Sequence, residues 1–561
     1  MRLAMKIAKT RQSGIFLSLA TFMNRLPLLH TETVALLASL FFTLTSNQRF
    51  WISLLSTQST NSLDLWFLMT GTAVALTSIH WVVFLVVLNR WTAKPLLTVL
   101  FVLTSLAVYF MDRYGVYLDK AMLRNLIETD VMEASELMGW RMLPHLLLLG
   151  ILPTILLWAI KLRFVSLRAA MVRRFAIFAL AMLLALGSVW FISPTMVPLM
   201  REQGKMRYLI TPQNYLVSLV RALSAQAKTT IKAREPVGVD AHLASIPQTR
   251  PTALVLVVGE AVRAANWGLS GYQRQTTPEL AKYDVINFAD VTSCGTDTAT
   301  SLPCMFSTFG RRSYDEDRIR SSDSVLHTIH RAGVSVLWRD NQSGSKGVAD
   351  GLPYEDFASF DAPSLVRPSG YRIDEVLLQG LKEKIEATNG NVLIVLHMIG
   401  NHGPAYFQRY PPEFRKWQSA CESTQLVDCT PDSLVNSYDN AILYTDYVLG
   451  KAIELLAGID GHDCGLIYVS DHGESLGEHH FYLHGLPYVI APKEQTKVPF
   501  VMWLSPALKE KTGLTSECLA KRAAQPASHD YLPHTLLGLL TVETEAYEPE
   551  FDLTATCRTT R

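Results

Sequence analysis

Residues 466–475 read Leu-Ile-Tyr-Val-Ser-Asp-His-Gly-Glu-Ser. A short apolar run without polar alternation is the pattern of a strand buried on both faces, and here it stops at a carboxylate beside an imidazole. Three more runs share the pattern: Ala253 to Val258, Ser335 to Trp338, and Val392 to Met398. Helical segments separate them, which predicts an α/β domain with buried, mostly parallel strands. In such sheets functional groups collect beyond the carboxyl ends of the strands. Three of the four runs end in metal-ligand chemistry: Gly259-Glu260, His397 with His402 in HMIGNHGP, and Asp471-His472 in SDHGES. Carboxylates with imidazole suit a zinc shell, and the additional histidines suit substrate oxygens or a second metal.

Between the first two runs lies SCGTDTATSLPC, residues 293–304, which sets Thr296, Thr298, Thr300 and Ser301 in a loop bracketed by two cysteines. A threonine hydroxyl is a poor nucleophile at neutral pH, and a metal or an adjacent base is the usual means of activating it.

Before about residue 195 the chain is different. Five apolar runs are long enough to cross about 30 Å of hydrocarbon: Thr33 to about Leu55 (interrupted by Arg49), Leu65 to Leu88, Pro95 to Met111, Met142 to Ile160, and Phe175 to Ile192. His80 and His145 within them read as histidines satisfied inside a helix bundle. Arg2, Lys6, Lys9 and Arg11 precede the first run, Arg90 and Lys94 fill the second connection, and Lys161, Arg163, Arg168, Arg173 and Arg174 the fourth. The positive-inside rule makes those segments cytoplasmic, so after five spans the rest of the chain emerges on the opposite side. All seven cysteines lie at or beyond Cys294, in agreement with an oxidising compartment there. The division is therefore 1–195 transmembrane with five helices, 196–250 bridging, and 251–561 catalytic. Within the bridge, apolar residues at helical spacing from Pro212 to about Lys232 predict an amphipathic helix at the membrane surface.

Hydrophobic residues make up 49% of the chain, charged residues only 18%, and the net charge is +1, which argues against nucleic-acid binding. There is no P-loop, dinucleotide glycine fingerprint or HExxH.

Four segments, GEAVRAANWGLSGYQRQTTP, VTSCGTDTATSLPCMFS, HMIGNHGPAYFQRYPPEFRKW and SDHGESLGEHHFYLHGLPYVIAP, closely resemble motifs of the lipid A phosphoethanolamine transferases, a family that includes the mobile colistin-resistance enzymes. The resemblance covers nearly the whole chain after about residue 23. It implies a multi-pass bacterial inner-membrane enzyme with a periplasmic domain of alkaline-phosphatase and sulfatase type. Phosphatidylethanolamine would be the donor and diacylglycerol the leaving product. The headgroup would reach a lipid A phosphate through a covalent phosphothreonine, which lowers envelope negative charge and gives resistance to polymyxins and cationic peptides. A monomer is expected.

By motif register, Glu260, Thr298, Asp471 and His472 match the family's zinc site, one ion held tightly, with Thr298 the nucleophile. Thr296 is the internal competitor for that role. Lys346, His402 and His484 match residues that contact the transferred phosphate or help bind a second zinc, and His397 matches a neighbour. Asn125, Thr129 and Glu133 recur every four residues in AMLRNLIETDVMEASELM and match a substrate-binding stripe. One departure is Ala261, where most members carry threonine. Cysteine pairs that some members have near SGSKGVAD are missing, which leaves Cys294 with Cys304, Cys421 with Cys429, Cys518 with Cys557, and Cys464 over. The alternatives are a transferase acting on another envelope glycan and a membrane-anchored hydrolase of sulfatase or phosphodiesterase type. Against a sulfatase, Thr-Asp-Thr-Ala-Thr lacks a Cys/Ser-x-Pro-x-Arg maturation motif.

Overall fold

The computed structural model describes residues 28–56, 63–128, 136–163, 166–202, 206–231, 234–245, 250–357, 365, 372–478 and 481–558. Two compact units emerge. One comprises the residues up to Asp119 together with Gly139–Leu219; the other comprises Lys120–Met138 with Val220 onwards.

In the first unit, α1 (Thr31–Thr45), α2 (Gln48–Ser56), α3 (Leu63–Val87) and α4 (Ala93–Tyr114) precede α5 (Lys120–Glu128), which belongs to the second unit. After α5 come α6 (Met142–Ala159), α7 (Leu167–Glu202) and α8 (Gln213–Ile231). Four of these helices, α3, α4, α6 and α7, are long and apolar enough to cross a membrane. The expectation of five spans is corrected here. The first apolar run is interrupted at Ser46-Asn47, which leaves the 15-residue α1 and the separate nine-residue α2. At 1.5 Å per residue a 15-residue helix reaches only about 22 Å, short of the hydrocarbon thickness. The interruption is stabilised by the Asn47 side chain, whose amide donates to the carbonyls of Phe42 (2.8 Å) and Thr211 (3.0 Å) and accepts from the Thr211 N–H (2.7 Å). His80 is buried between the Thr43 hydroxyl (3.2 Å) and the Gln213 amide oxygen (2.6 Å), so its polar atoms are satisfied within the bundle.

The second unit is built on an eight-stranded sheet. Its strands are β1 (Thr252–Gly259), β2 (Ile286–Thr292), β3 (Ser335–Asp340), β4 (Tyr354–Asp356), β5 (Val392–His397), β6 (Asp463–Ser470), β7 (Lys497–Leu504) and β8 (Ala527–Ser528). They lie in the order β8-β2-β7-β6-β1-β5-β3-β4. Only β7 runs against its neighbours β2 and β6; the other pairings are parallel.

Alternation at period two explains why the central strands read as unbroken apolar runs. Leu254, Leu256 and Val258 of β1 enter one core, while Ala253, Val255 and Val257 enter the other. On the second face lies α10 (Pro431–Ala457), preceded in the chain by α9 (Thr298–Met305); it contributes Tyr438, Ile442, Leu449 and Ile453. Each fully buried Val or Leu stabilises the fold by about 1.5–3 kcal/mol, so both faces hold the strand ends rigidly. Disulfides join Cys294 to Cys304, Cys421 to Cys429 and Cys518 to Cys557, and Cys464 is a buried free thiol.

Candidate active site

The parallel register assembles the site. Gly259 of β1 stands opposite Ser470 of β6, so Glu260 and Asp471 follow side by side; Val258 faces His397 of β5, and His397 in turn faces Asp340 of β3. Because β2 and β6 both run antiparallel to β7, the loop after Thr292 reaches the same sheet edge and delivers residues 293–297 to it. Asp297 then caps α9, its carboxylate accepting from the Thr300 N–H at 2.9 Å, which places Thr298 in the first turn. The positive end of a helix favours negative charge there.

Thr298 Oγ1 donates to Glu260 Oε2 at 2.9 Å and lies 3.4 Å from His472 Nε2. The His472 Nδ1 hydrogen goes to the Gly473 carbonyl (2.9 Å), which turns Nε2 toward Glu260 Oε1 (3.2 Å) and Asp471 Oδ2 (3.5 Å). All three side chains are fully buried. Apart from the His472 imidazole nitrogen, Glu260 Oε1 and Asp471 Oδ2 have no hydrogen-bond donor among the described residues. Two buried carboxylates with orphaned oxygens call for a cation, since an uncompensated buried charge costs several kcal/mol. Ligand atoms of Glu260, Asp471 and His472 lie within 4.8 Å of one another, a set that fits a divalent metal.

A second overlapping set adds His402 and His484 to Glu260, and a third joins His472, Glu474 and His484. The His472 and His484 rings are 4.4 Å apart, and those of His402 and His484 5.5 Å. Burial and the charge of Glu260 raise the Asp471 carboxyl above its ordinary value. Burial also opposes ionisation of Glu260, but His472 beside it outweighs this and holds the group well below the usual carboxylate range. His397 is one step away: its Nδ1 bonds Asp340 Oδ2 at 2.8 Å, an oxygen that also accepts from the Trp338 indole at 2.7 Å. Burial works against its protonation, yet Asp340 raises it above the ordinary value.

Lys346 lies in the loop after β3, its ammonium donating to the carbonyl (3.0 Å) and hydroxyl (2.8 Å) of Ser343. Thr296 Oγ1 donates to the Leu486 carbonyl at 2.6 Å and so is directed away from the carboxylates. Asn125 sits on α5, half-buried, whereas Thr129 and Glu133 lie outside the described residues. Ala261 contributes through its backbone: the N–H donates to Asp471 Oδ1 at 3.2 Å and the carbonyl accepts from Tyr438. Its hydroxyl-free side chain is compatible with that role. Gly400 is needed for close approach, because at φ +49° a Cβ would lie 2.8 Å from the Glu260 backbone.

Some participants escaped the sequence reading. Glu474 is buried, accepts from Tyr406 Oη (2.5 Å) and orients His484 through Nδ1 (2.7 Å). Its signal was its place in SDHGES, three residues after Asp471. Gln342 donates to Glu260 Oε2 at 3.0 Å from a segment that carries no distinctive pattern. His529 accepts from the Cys294 N–H (3.0 Å) and donates to the Ser470 carbonyl (2.9 Å), tying the loop of residues 293–297 to the end of β6.

The Sulfatase family matches residues 252–542, and the family described as Phosphoethanolamine transferase EptA/EptB matches residues 76–227. Phosphoethanolamine transferase EptA of Escherichia coli K12 is 37% identical over 538 residues, which cover 95% of this chain and 98% of that protein. Phosphatidylethanolamine transferase Mcr-1 of Escherichia coli is 36% identical, covering 90% and 94% respectively. The solved lipooligosaccharide phosphoethanolamine transferase A of Neisseria meningitidis, an integral membrane protein, superposes with a TM-score of 0.90 at 34% identity, covering 95% of this chain and 100% of that one.

Proposed function

The chain belongs to the phosphoethanolamine transferase family, and from that premise we propose that it moves phosphoethanolamine from phosphatidylethanolamine to a phosphate of lipid A, with Thr298 as the covalent carrier. The observation that carries this reading is the Thr298 hydroxyl, bonded to Glu260 Oε2 at the head of a helix and beside a buried carboxylate–imidazole cluster.

In the first step Thr298 Oγ forms a bond to the donor phosphorus while the ester bond to diacylglycerol breaks. The threonine proton leaves along the existing hydrogen bond to Glu260. Charge gathers on the nonbridging oxygens, where His402 and His484 supply donors, His484 being oriented by Glu474. The leaving oxygen takes a proton from His402 or His484 and departs as diacylglycerol. In the second step an oxygen of the lipid A phosphate attacks the phosphothreonine and gives its proton to that histidine, while the bond to Thr298 breaks and Glu260 returns the proton that restores its hydroxyl. Glu260, Asp471 and His472, with Thr298, would hold the zinc ion, which when bound supplies positive charge and Lewis acidity to both steps. Lys346 and His397 stand as further phosphate-side residues in this reading, with His402 and His484 available to a second ion.

Four long apolar helices support placement as a multi-pass inner-membrane protein, and three disulfides in the catalytic unit support a periplasmic location for it. The modified lipid A would carry less negative charge and bind polymyxins less well. Mass spectrometry of lipid A from cells with and without this chain tests the proposal. A phosphoethanolamine increment is expected; unmodified lipid A with the increment on another glycan would reassign the acceptor.

A further inference from the structure

Glu136 and Arg409 are charged residues buried against each other, 6% and 2% exposed. Arg409 Nη2 donates to both Glu136 oxygens, at 3.0 and 2.8 Å, while Arg409 Nε donates to the His402 carbonyl at 2.7 Å. On its other side His402 is fixed by its own N–H, which donates to the Ile399 carbonyl at 3.1 Å. Glu136 belongs to the 120–138 segment, which interrupts the apolar helices in sequence yet clusters with the catalytic unit. Arg124 of the same segment also reaches the Thr298 helix. Arg124 Nη2 donates to Thr300 Oγ1 at 3.1 Å, two residues beyond Thr298, and Arg124 pairs with Glu316.

A buried ion pair is a weak source of stability, since apolar replacements of similar volume are often neutral or better. Its directional bonds fix geometry instead. Here the direction leads from Glu136 through one guanidinium to the backbone of His402, whose ring shares the ligand set with Glu260 and His484. We propose that Glu136 is a positioning residue: through Arg409 it sets the His402 imidazole against the phosphate and so governs the rate of group transfer. This rests on the reading that His402 acts on the transferred phosphate.

The test is a double-mutant cycle on the purified full-length, metal-loaded chain, with two substrates: fluorescent phosphatidylethanolamine plus lipid A, and bis(p-nitrophenyl) phosphate, a diester that needs the phosphate site but no lipid. Glu136→Gln keeps the shape and removes the charge. It is expected to lower kcat at least about tenfold, with KM for the donor within about threefold and metal content unchanged, as small misplacement of a catalytic group does. In a His402→Ala background the same change should cost less than about twofold, because the group being positioned is gone. Glu136→Asp should recover part of the rate. If Glu136→Gln yields poorly folded protein, Arg409→Lys tests the same link, since an ammonium cannot bond Glu136 and the His402 carbonyl in one fork. Effects that multiply in the double variants on both substrates, or wild-type kcat in Glu136→Gln, overturn the positioning role. Absence of lipid transfer by the wild type, with the cycle intact on the chromogenic diester, overturns the lipid reading alone.

Discussion

Thr298 and Glu260, 38 residues apart in sequence, meet at 2.9 Å through a hydroxyl-to-carboxylate hydrogen bond. That contact joins a helix N-terminus to a strand C-terminus and aligns the hydroxyl with a proton acceptor. Thr298→Ala should abolish transfer, by about 10⁴-fold or more as for other nucleophile deletions, with thermal stability nearly unchanged. Intact-protein mass spectrometry after incubation with phosphatidylethanolamine should locate a phosphoethanolamine adduct on Thr298. An adduct on Thr296, whose hydroxyl is engaged by Leu486, would reverse the assignment.

Metal retention should separate the ligands. Glu260→Ala or Asp471→Ala removes one of two buried carboxylates from the set shared with His472, and elemental analysis should show loss of most bound zinc together with activity. His402→Ala takes nothing from that set and should spare the zinc while slowing turnover. Equal zinc loss in all three variants would make His402 a primary ligand.

His529 gives a pH prediction. Burial lowers its pKa from the ordinary 6.5 to about 3, so the folded protein keeps it neutral while the unfolded chain binds a proton below 6.5. Its contribution to stability is therefore intact above pH 6.5 and is lost as pH falls toward 3, at about 1.4 kcal/mol per pH unit. Thermal unfolding of wild type and His529→Gln at pH 7.5 and 5.0 should show a smaller acid-induced drop in the variant. Equal drops would mean that other groups carry the acid sensitivity.

The stripe of Asn125, Thr129 and Glu133 predicts substrate recognition, with the carboxylate of Glu133 answering the donor ammonium. Glu133→Ala should strongly reduce transfer at subsaturating phosphatidylethanolamine, with zinc content and membrane insertion normal. Full activity under those conditions would remove the stripe from the site.

The sequence by itself determined the four central parallel strands of the sheet and the carboxylates and imidazoles at their ends. Fully buried strands must be continuously apolar, and a carboxylate or imidazole directly after such a run has to lie at the strand end; Glu260, His397, Asp471 and His472 were legible for that reason. Strands β2, β4, β7 and β8 were not, because β2 carries exposed or half-buried positions between buried ones, β4 and β8 are three and two residues long, and the apolar run of β7 is broken near its start by Pro499, where the register shifts. Only the tertiary structure decided what depends on two distant segments meeting. That the first apolar run stops at Asn47 follows from bonds to Thr211, 164 residues away. Motif register already preferred Thr298 over Thr296; the physical reason that its hydroxyl faces Glu260, the turn that Asp297 caps, is seen only in the fold. The parts played by Glu474, His529 and the Glu136–Arg409 pair follow from which carbonyl or ring each side chain reaches. Periodicity records burial along one segment; it carries no record of the partner across the fold, and in this site the partners set the chemistry.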